Sequence, residues 1–212
     1  MIIRKGSIFK DKGYNMKGIG YKLESFVVTG VKPGALTPDD AFETINEKSF
    51  PGKWKVIMFY PKDFTFVCPT EIVAYDKLNQ DFIDRDAVLL MGSTDNEFCK
   101  LGWKNAHEDL KKTNSWMFAD TLREESEEYN KQDKDWITEI PSGLAYQLGV
   151  IDKSTGVALR ATFIVDPENI IQHVTVNNLN VGRSAEETLR VLDALQTGEL
   201  CACNRAVGGE TL

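Results

Sequence analysis

Short apolar runs recur along the chain between turn-forming and charged residues, and this pattern predicts β-strands. The run KVIMFY at 55–60 is apolar almost throughout and ends at a proline, which is typical of a strand buried on both faces of a sheet. ATFIVD and IIQHVTV, separated by PEN, predict a hairpin. The other predicted strands are 25–31, 87–93, 115–120 and an exposed ribbon at 41–50.

Other stretches repeat apolar residues at helical spacing and predict helices. Four are predicted, at 69–83, 96–110, 144–151 and 184–196, the second capped by Asp95 or Asn96 and the last by Ser184. The side chains expected to face the core are Phe98, Leu101 and Trp103 in the second helix and Leu189, Val191, Leu192 and Leu195 in the last. Strands and helices thus alternate along the chain, and a hairpin precedes the last helix. This order predicts an α/β fold with a mixed central sheet and flanking helices.

Composition and charge weigh against several classes of protein. A chain of 212 residues fits one domain, and its net charge of -7 weighs against nucleic-acid binding. No apolar run approaches the roughly 20 residues of a membrane helix, and the N-terminal residues lack the apolar core of a signal peptide. Four scattered cysteines do not make a secreted disulfide scaffold, so we expect a cytoplasmic protein with normally reduced thiols.

Cys68 lies where the buried strand gives way to the first helix, at the strand end where α/β folds place their sites. A thiol reacts as its thiolate. A helix that begins at Pro69 would make Cys68 its N-cap, where free N–H groups and the helix dipole favour an anion. Glu71 suits the same helix end and is expected to reach back as a cap.

Three further residues complete a candidate site around this thiol. Thr65 is expected to place a hydroxyl beside the sulfur, Pro61 to shield it from water, and Arg160 to hold both the thiolate and a substrate oxygen. An isolated cysteine in an apolar run is usually a small buried side chain. The full spacing P-x-x-x-T-x-x-C between a strand and a helix favours a reactive thiol instead.

The stretch PKDFTFVC resembles the active-site motif of the peroxiredoxins. PTE, RATFIVD, VGRSAEETLRVLDALQ and ELCACN are similar to their typical two-cysteine group, which includes the alkyl hydroperoxide reductase catalytic subunit, over residues 18–212 minus one insertion. The resemblance implies a thioredoxin-like fold and a thiol peroxidase for hydrogen peroxide and organic hydroperoxides, with no cofactor. It makes Cys68 the peroxidatic cysteine, Thr65 and Arg160 the residues that align the peroxide, and Pro61 the shield.

The resemblance also implies partners. Cys201 would be the resolving cysteine, forming a disulfide with Cys68 of the partner subunit, and dimers would assemble into a ring. A protein dithiol (thioredoxin, a flavoprotein reductase or a small dithiol protein) would reduce that disulfide. Cys203 matches a branch of the family with C-A-C in its tail, and it is either a second resolving thiol or a spare exposed one.

The remaining candidates are given structural roles. A metal site built from the tail cysteines and His107 or His173 is not expected, because the sequence lacks the paired CxxC spacing of such sites. Cys99 is expected to fill the core beside Trp103 rather than to take part in redox chemistry.

The chain divides into an N-terminal extension at 1–17, a core at 18–184 with an insertion near 121–140, and a C-terminal helix and resolving-cysteine tail at 185–212. The acidic SEEYNKQDKDWITEI at 126–140 accounts for the insertion, and the glycine-rich tail is expected to be mobile. SGLA and GGETL stand where over-oxidation-sensitive relatives have glycine-rich and tyrosine–phenylalanine motifs, so we predict resistance to over-oxidation.

Two other functions stay open at the sequence level. A thioredoxin-like disulfide carrier would place a second thiol one turn along the helix, where this chain has Glu71. An oligomeric holdase is compatible with the sequence and with peroxidase activity.

Overall fold

The computed structural model describes residues 16–121 and 143–212, which form a seven-stranded mixed sheet, a small hairpin and flanking helices. The strands of the sheet are β1 (Val27–Val31), β2 (Phe42–Asn46), β3 (Trp54–Phe59), β4 (Ala87–Ser93), β5 (Trp116–Ala119), β8 (Arg160–Val165) and β9 (Ile171–Asn177). The small hairpin consists of β6 (Ile151–Asp152) and β7 (Val157–Ala158). Every strand predicted from the sequence is present.

The strands are ordered β2-β1-β5-β4-β3-β8-β9. β3, β4 and β5 run parallel, whereas the pairs on either side of them are antiparallel. Lys55–Phe59 of β3 are all buried, which confirms the predicted central strand. Because β8 runs antiparallel to β3, the first residue of β8 lies beyond the carboxyl end of β3.

The helices begin close to their predicted positions, but those predicted at 96–110 and 144–151 each end four residues earlier. They are α1 (Cys68–Lys77), α2 (Asn79–Ile83), α3 (Glu97–Ala106), α4 (Leu144–Gln147) and α5 (Ala185–Thr197), with 3₁₀ turns at Pro38–Asp40 and Leu110–Lys112. The predicted helix at 69–83 is divided into α1 and α2 at Leu78, which has non-helical dihedrals. Asn96 and Ser184 cap α3 and α5, accepting hydrogen bonds from the N–H groups of Cys99 and Glu187.

Alternate residues of β3 divide the core into two layers. Val56 and Met58 pack with Cys68 and with the buried sides of α1, α3 and α5. Ile57 and Phe59 pack on the opposite face, with α4 and the rings of Phe118 and Phe163. Cys68 therefore belongs to the apolar layer beneath α1, at its rim where the strand ends.

Two sequence predictions about α3 were wrong. Phe98 was expected to face the core but is 62% exposed, and its ring packs against Phe42 with centroids 4.9 Å apart. Cys99 is half-buried and does not fill the core. The helix instead buries Lys100 and Lys104 beside Leu101 and Trp103, a mixed face that an apolar periodicity cannot indicate.

Parts of the predicted domain division lie outside the described residues. These are 1–15 of the N-terminal extension and nearly all of the insertion, so both assignments stay predictions. Lys17 already belongs to the folded body, because its N–H donates to the carbonyl of Leu148 at 3.0 Å. Across 16–121 and 143–212, no helix combines the length and apolar character that a membrane crossing requires.

Candidate active site

Cys68 is the first residue of α1, directly after the segment that leaves β3, and it is 1% exposed. The sequence placed it one position outside the helix, as the N-cap. Val67 takes that position because its carbonyl accepts the first hydrogen bonds of the helix, from the N–H groups of Thr70 and Glu71. The sulfur nevertheless belongs to the first turn, where the positive end of the helix dipole favours an anion.

Arg160 reaches the sulfur as predicted. Its Nη1 lies 3.4 Å from the Sγ of Cys68. The guanidinium is fixed from two further directions, by the carbonyl of Leu179 at 2.6 Å and the carboxylate of Glu71 at 2.6 Å. Arg160 opens β8, so the antiparallel pairing of β8 with β3 brings a cation to the strand end that carries the thiol.

Glu71 does not cap α1 as predicted. Its buried carboxylate binds Arg160 and also Arg183, whose Nε and backbone N–H donate to it at 2.8 and 2.9 Å. Sequence reasoning missed Arg183 as a member of the site. A signal was present, since Arg183 immediately precedes the cap of α5, and a cation near a helix N-terminus is unfavourable unless an anion accompanies it.

The buried charges beside the sulfur of Cys68 are unequal. Two buried guanidinium groups, those of Arg160 and Arg183, face the single carboxylate of Glu71. The cluster therefore carries one excess positive charge, and an uncompensated ion is costly in a low-dielectric interior. A negatively charged group bound at this position would be stabilised by it.

The segment that carries Pro61 and Thr65 folds into a tight turn before α1. Pro61 is buried, and the hydroxyl of Thr65 donates to the carbonyl of Lys62 at 3.0 Å. The prediction that this hydroxyl lies beside the sulfur of Cys68 stays a prediction. Phe64 has φ of +55°, a left-handed conformation that is strained for a bulky residue.

Cys99 has surroundings that differ from those of Cys68. Burial, with the nearby charges of Asp63 and Asp95, raises the pKa of Cys99 to about 11. A thiol that holds its proton so firmly is a poor nucleophile at neutral pH. This supports the predicted absence of a redox role, although the side chain is not in the core.

The two tail cysteines follow α5 and lie against its C-terminal part. Both line a cavity of about 520 Å³ together with Arg190. The Sγ of Cys201 lies 3.5 Å from the hydroxyl of Thr197 and 3.7 Å from the carbonyl of Ala194, whereas Cys203 is exposed. All four cysteines are free thiols.

The tail beyond these cysteines is folded, whereas its glycine content predicted mobility. Arg205 binds the carboxylate of Asp193 on α5 at 2.6 Å, and the N–H of Gly208 donates to the same carboxylate at 2.9 Å. Arg85 holds Asp193 from the other side at 3.1 Å. Asp193 thus ties the tail to the body of the protein, through contacts between residues distant in the sequence.

The described residues contain no group of three or more His, Cys, Asp or Glu side chains that could hold a metal ion. The Nδ1 atom of His107 accepts hydrogen bonds from the N–H groups of Asp109 and Leu110 after α3. His173 is half-buried on β9, where burial lowers its pKa.

Comparisons with known proteins agree with the motif. The AhpC/TSA family model matches residues 19–174. Alkyl hydroperoxide reductase C of Mycolicibacterium smegmatis is 46% identical over 200 residues, covering 92% of each chain. Thioredoxin peroxidase of Trypanosoma brucei rhodesiense is 35% identical over 185 residues, covering 84% of this chain and 83% of that protein.

Solved structures agree with the fold. Mycobacterium tuberculosis AhpC superposes with a TM-score of 0.72 at 42% identity, covering 88% of this chain and 97% of that one. A two-cysteine peroxiredoxin of Plasmodium vivax gives a TM-score of 0.70 at 32% identity, covering 91% of each chain. These matches confirm the predicted fold class, a thioredoxin-like mixed sheet with flanking helices.

Proposed function

Because the chain belongs to the AhpC/TSA family, we propose that it is a thiol peroxidase that reduces hydrogen peroxide and organic hydroperoxides with Cys68 as the attacking thiol. The observation that carries this proposal is the position of Cys68, which is buried at the first turn of α1 with Arg160 3.4 Å from its sulfur. No cofactor takes part.

The proposed first step transfers one oxygen atom. The Cys68 thiolate attacks the terminal oxygen of the hydroperoxide, an S–O bond forms, and the O–O bond breaks. The other oxygen leaves as hydroxide or alkoxide and takes a proton to become water or alcohol. Cys68 is oxidised to a sulfenic acid while the peroxide is reduced.

Three residues support this step. Arg160 would stabilise the negative charge that develops as the O–O bond breaks, and its three fixed contacts orient it in advance. Thr65 would bind the peroxide through its hydroxyl once the Lys62 carbonyl releases it. Pro61, buried in the same segment, would keep water from the sulfur.

The second step proposed is resolution by Cys201 of the partner subunit. Its thiolate attacks the sulfenic sulfur, an S–S bond forms, and hydroxide leaves and is protonated to water. Cys68 must leave its buried turn, and the tail must leave Asp193, before the two sulfurs can meet. Cys203, two residues along and exposed, is a second candidate for the same role.

We infer the partners from the same chemistry. A homodimer that assembles into a ring, a hydroperoxide substrate and a protein dithiol reductant complete the cycle. The dithiol is thioredoxin, a flavoprotein reductase or a small dithiol protein. A cytoplasmic location fits four cysteines that are all free thiols.

A disulfide-carrier function is less well supported. Carriers place their second thiol one turn after the first. That side of α1 holds Glu71, which is buried and bound to two arginines.

Rapid mixing with hydrogen peroxide tests the proposal, and Trp103 offers the signal. Its ring lies 6.0 Å from those of both Tyr60 and Phe64, in the segment before Cys68. We expect a fast fluorescence change in the reduced protein that is lost in Cys68→Ser and kept in the matched control Cys99→Ser. A disulfide-linked dimer on a non-reducing gel should disappear in Cys201→Ser.

Oxidation no faster than that of a free thiol would contradict the peroxidase proposal. Retention of the dimer band in Cys201→Ser would instead assign resolution to Cys203.

A further inference from the structure

A buried ion pair lies behind the segment that leads to Cys68. The Nζ of Lys100, on α3, is fully buried and lies 3.3 and 3.5 Å from the two carboxylate oxygens of Asp63. It also donates to the hydroxyl of Ser93 at 2.7 Å and lies 3.4 Å from the hydroxyl of Tyr60. The pair therefore joins α3 and the end of β4 to the segment that follows β3.

Asp63 is fixed through both its side chain and its backbone. Its carboxylate accepts hydrogen bonds from the Nζ of Lys100 and from the hydroxyl of Ser93, each at 3.3 Å. Its backbone N–H donates to the carboxylate of Asp95 at 2.8 Å. Asp63 stands between Pro61 and Thr65, so fixing it fixes the backbone on which both are carried. The left-handed φ of Phe64, the next residue, costs free energy that these contacts offset.

Tyr60 is fully buried beside the pair. Burial raises the pKa of Tyr60 well above its usual value, and the carboxylate of Asp63 raises it further. Tyr60 therefore keeps its proton, and its neutral hydroxyl accepts from Lys100. Burial lowers the pKa of Lys100, and the carboxylate of Asp63 opposes that shift.

Burying two ions is costly, and apolar residues of similar volume are often no less stable. Stability alone therefore does not account for this ion pair. The pair restrains the backbone of the segment 61–66. We propose that Lys100 is a positioning residue for the peroxidase reaction, acting through Asp63 to hold Pro61 and Thr65 in place around Cys68. This inference rests on the proposed function.

The test separates peroxide chemistry from simple thiol reactivity. Lys100→Met is compared with wild type in its second-order rate constant for hydrogen peroxide and in its rate of Cys68 alkylation by iodoacetamide. Alkylation needs the thiolate but not the alignment of an O–O bond. We expect the peroxide rate constant to fall about tenfold or more, because small misplacements of positioning groups have effects of that size, while alkylation is unchanged.

Lys104→Met is the matched control, since Lys104 is also buried on α3 but makes no hydrogen bond to the segment among the described residues. Its two rates should match those of wild type. If Lys100→Met does not fold, Lys100→Gln carries the test, because its amide keeps a donor for Asp63. It should show a fall of the peroxide rate constant relative to wild type, with alkylation unchanged.

Two results would overturn the inference: an equal fall of both rates in the Lys100 variant, which indicates a general structural role, or an unchanged peroxide rate. Failure of the proposed function is distinguishable, because it appears in wild type as slow oxidation that does not depend on Cys68.

Discussion

The carboxylate of Glu71 joins two buried guanidinium groups, so three charges of the site depend on one side chain. Arg160 contacts the sulfur and Glu71 at once, whereas Arg183 contacts Glu71, the hydroxyl of Thr162 and the sulfur of Met58. Glu71 thus fixes the arginine that faces the thiol and neutralises the one behind it.

Removing this charge should affect stability and activity together. In Glu71→Gln, two buried cations lose their anion, so we expect unfolding to become easier by roughly 3 kcal/mol. The peroxide rate constant should fall by about tenfold or more, because Arg160 is no longer fixed. Thermal unfolding and rapid-mixing kinetics measure the two effects.

Glu187→Gln is the control for that variant, because Glu187 pairs with Arg190 at the surface. It should cost about 0.5 kcal/mol or less and leave the peroxide rate unaltered. Equal effects of the two variants would contradict the role given to Glu71.

At the scale of single residues, the sequence indicated which side chains lie at the sulfur of Cys68. The spacing predicted Cys68 as the reactive thiol, and the structure brings Arg160 to it. Glu71 and Arg183 could not be assigned, because their contact joins residues separated by 112 positions. The catalytic roles of Cys68, Arg160, Thr65, Pro61, Cys201 and Cys203 all stay predictions.

Helix α3 shows how local pattern and tertiary environment diverge at the scale of an element. Asn96, one of the two predicted caps, begins it, but the helix ends at Ala106 instead of 110. Phe98 lies outside and two lysines lie inside. Lys100 is paired with Asp63, whereas the Nζ of Lys104 has no hydrogen-bond partner within the described residues. A buried ammonium group without a hydrogen bond opposes folding.

Lys104→Met should therefore stabilise the protein. We expect a gain of about 1 kcal/mol, which raises the melting temperature of a chain of this size by about 2–4 °C. Burial lowers the pKa of Lys104 in the folded state, so its penalty is fully present below that lowered pKa. The penalty disappears as pH rises toward the ordinary pKa of 10.5.

Melting curves of wild type and Lys104→Met, recorded near pH 7 and near pH 10, measure this difference. The advantage of the variant should shrink at the higher pH. A variant less stable than wild type at neutral pH would show that the ammonium group is paired after all.

At the scale of the whole molecule, the order of strands and helices was readable because each has a strong periodicity of its own. The sheet order and the position of the tail were not. The tail is held by Asp193, to which Arg85, Arg205 and Gly208 all donate, and no local pattern relates these positions. Composition alone predicted a mobile tail.

These contacts should set the speed of disulfide formation. In Asp193→Asn the tail loses its charged anchor, so Cys201 should reach Cys68 of the partner subunit several-fold faster in quenched, non-reducing gels. The first oxidation step should be unchanged. Glu186→Gln, an exposed acid on the same helix, is the control, and slower disulfide formation in Asp193→Asn would contradict the anchoring role.

The left-handed backbone of Phe64 has a thermodynamic consequence for the resting enzyme. A conformation of this kind costs a residue with a side chain about 1–2 kcal/mol. The proposed cycle requires the segment to open, and opening would release that cost. Because about 1.4 kcal/mol is a factor of ten in an equilibrium constant, we expect the open form to be roughly tenfold more populated than with a relaxed residue at this position. The closed state would thus hold part of the free energy needed to leave it.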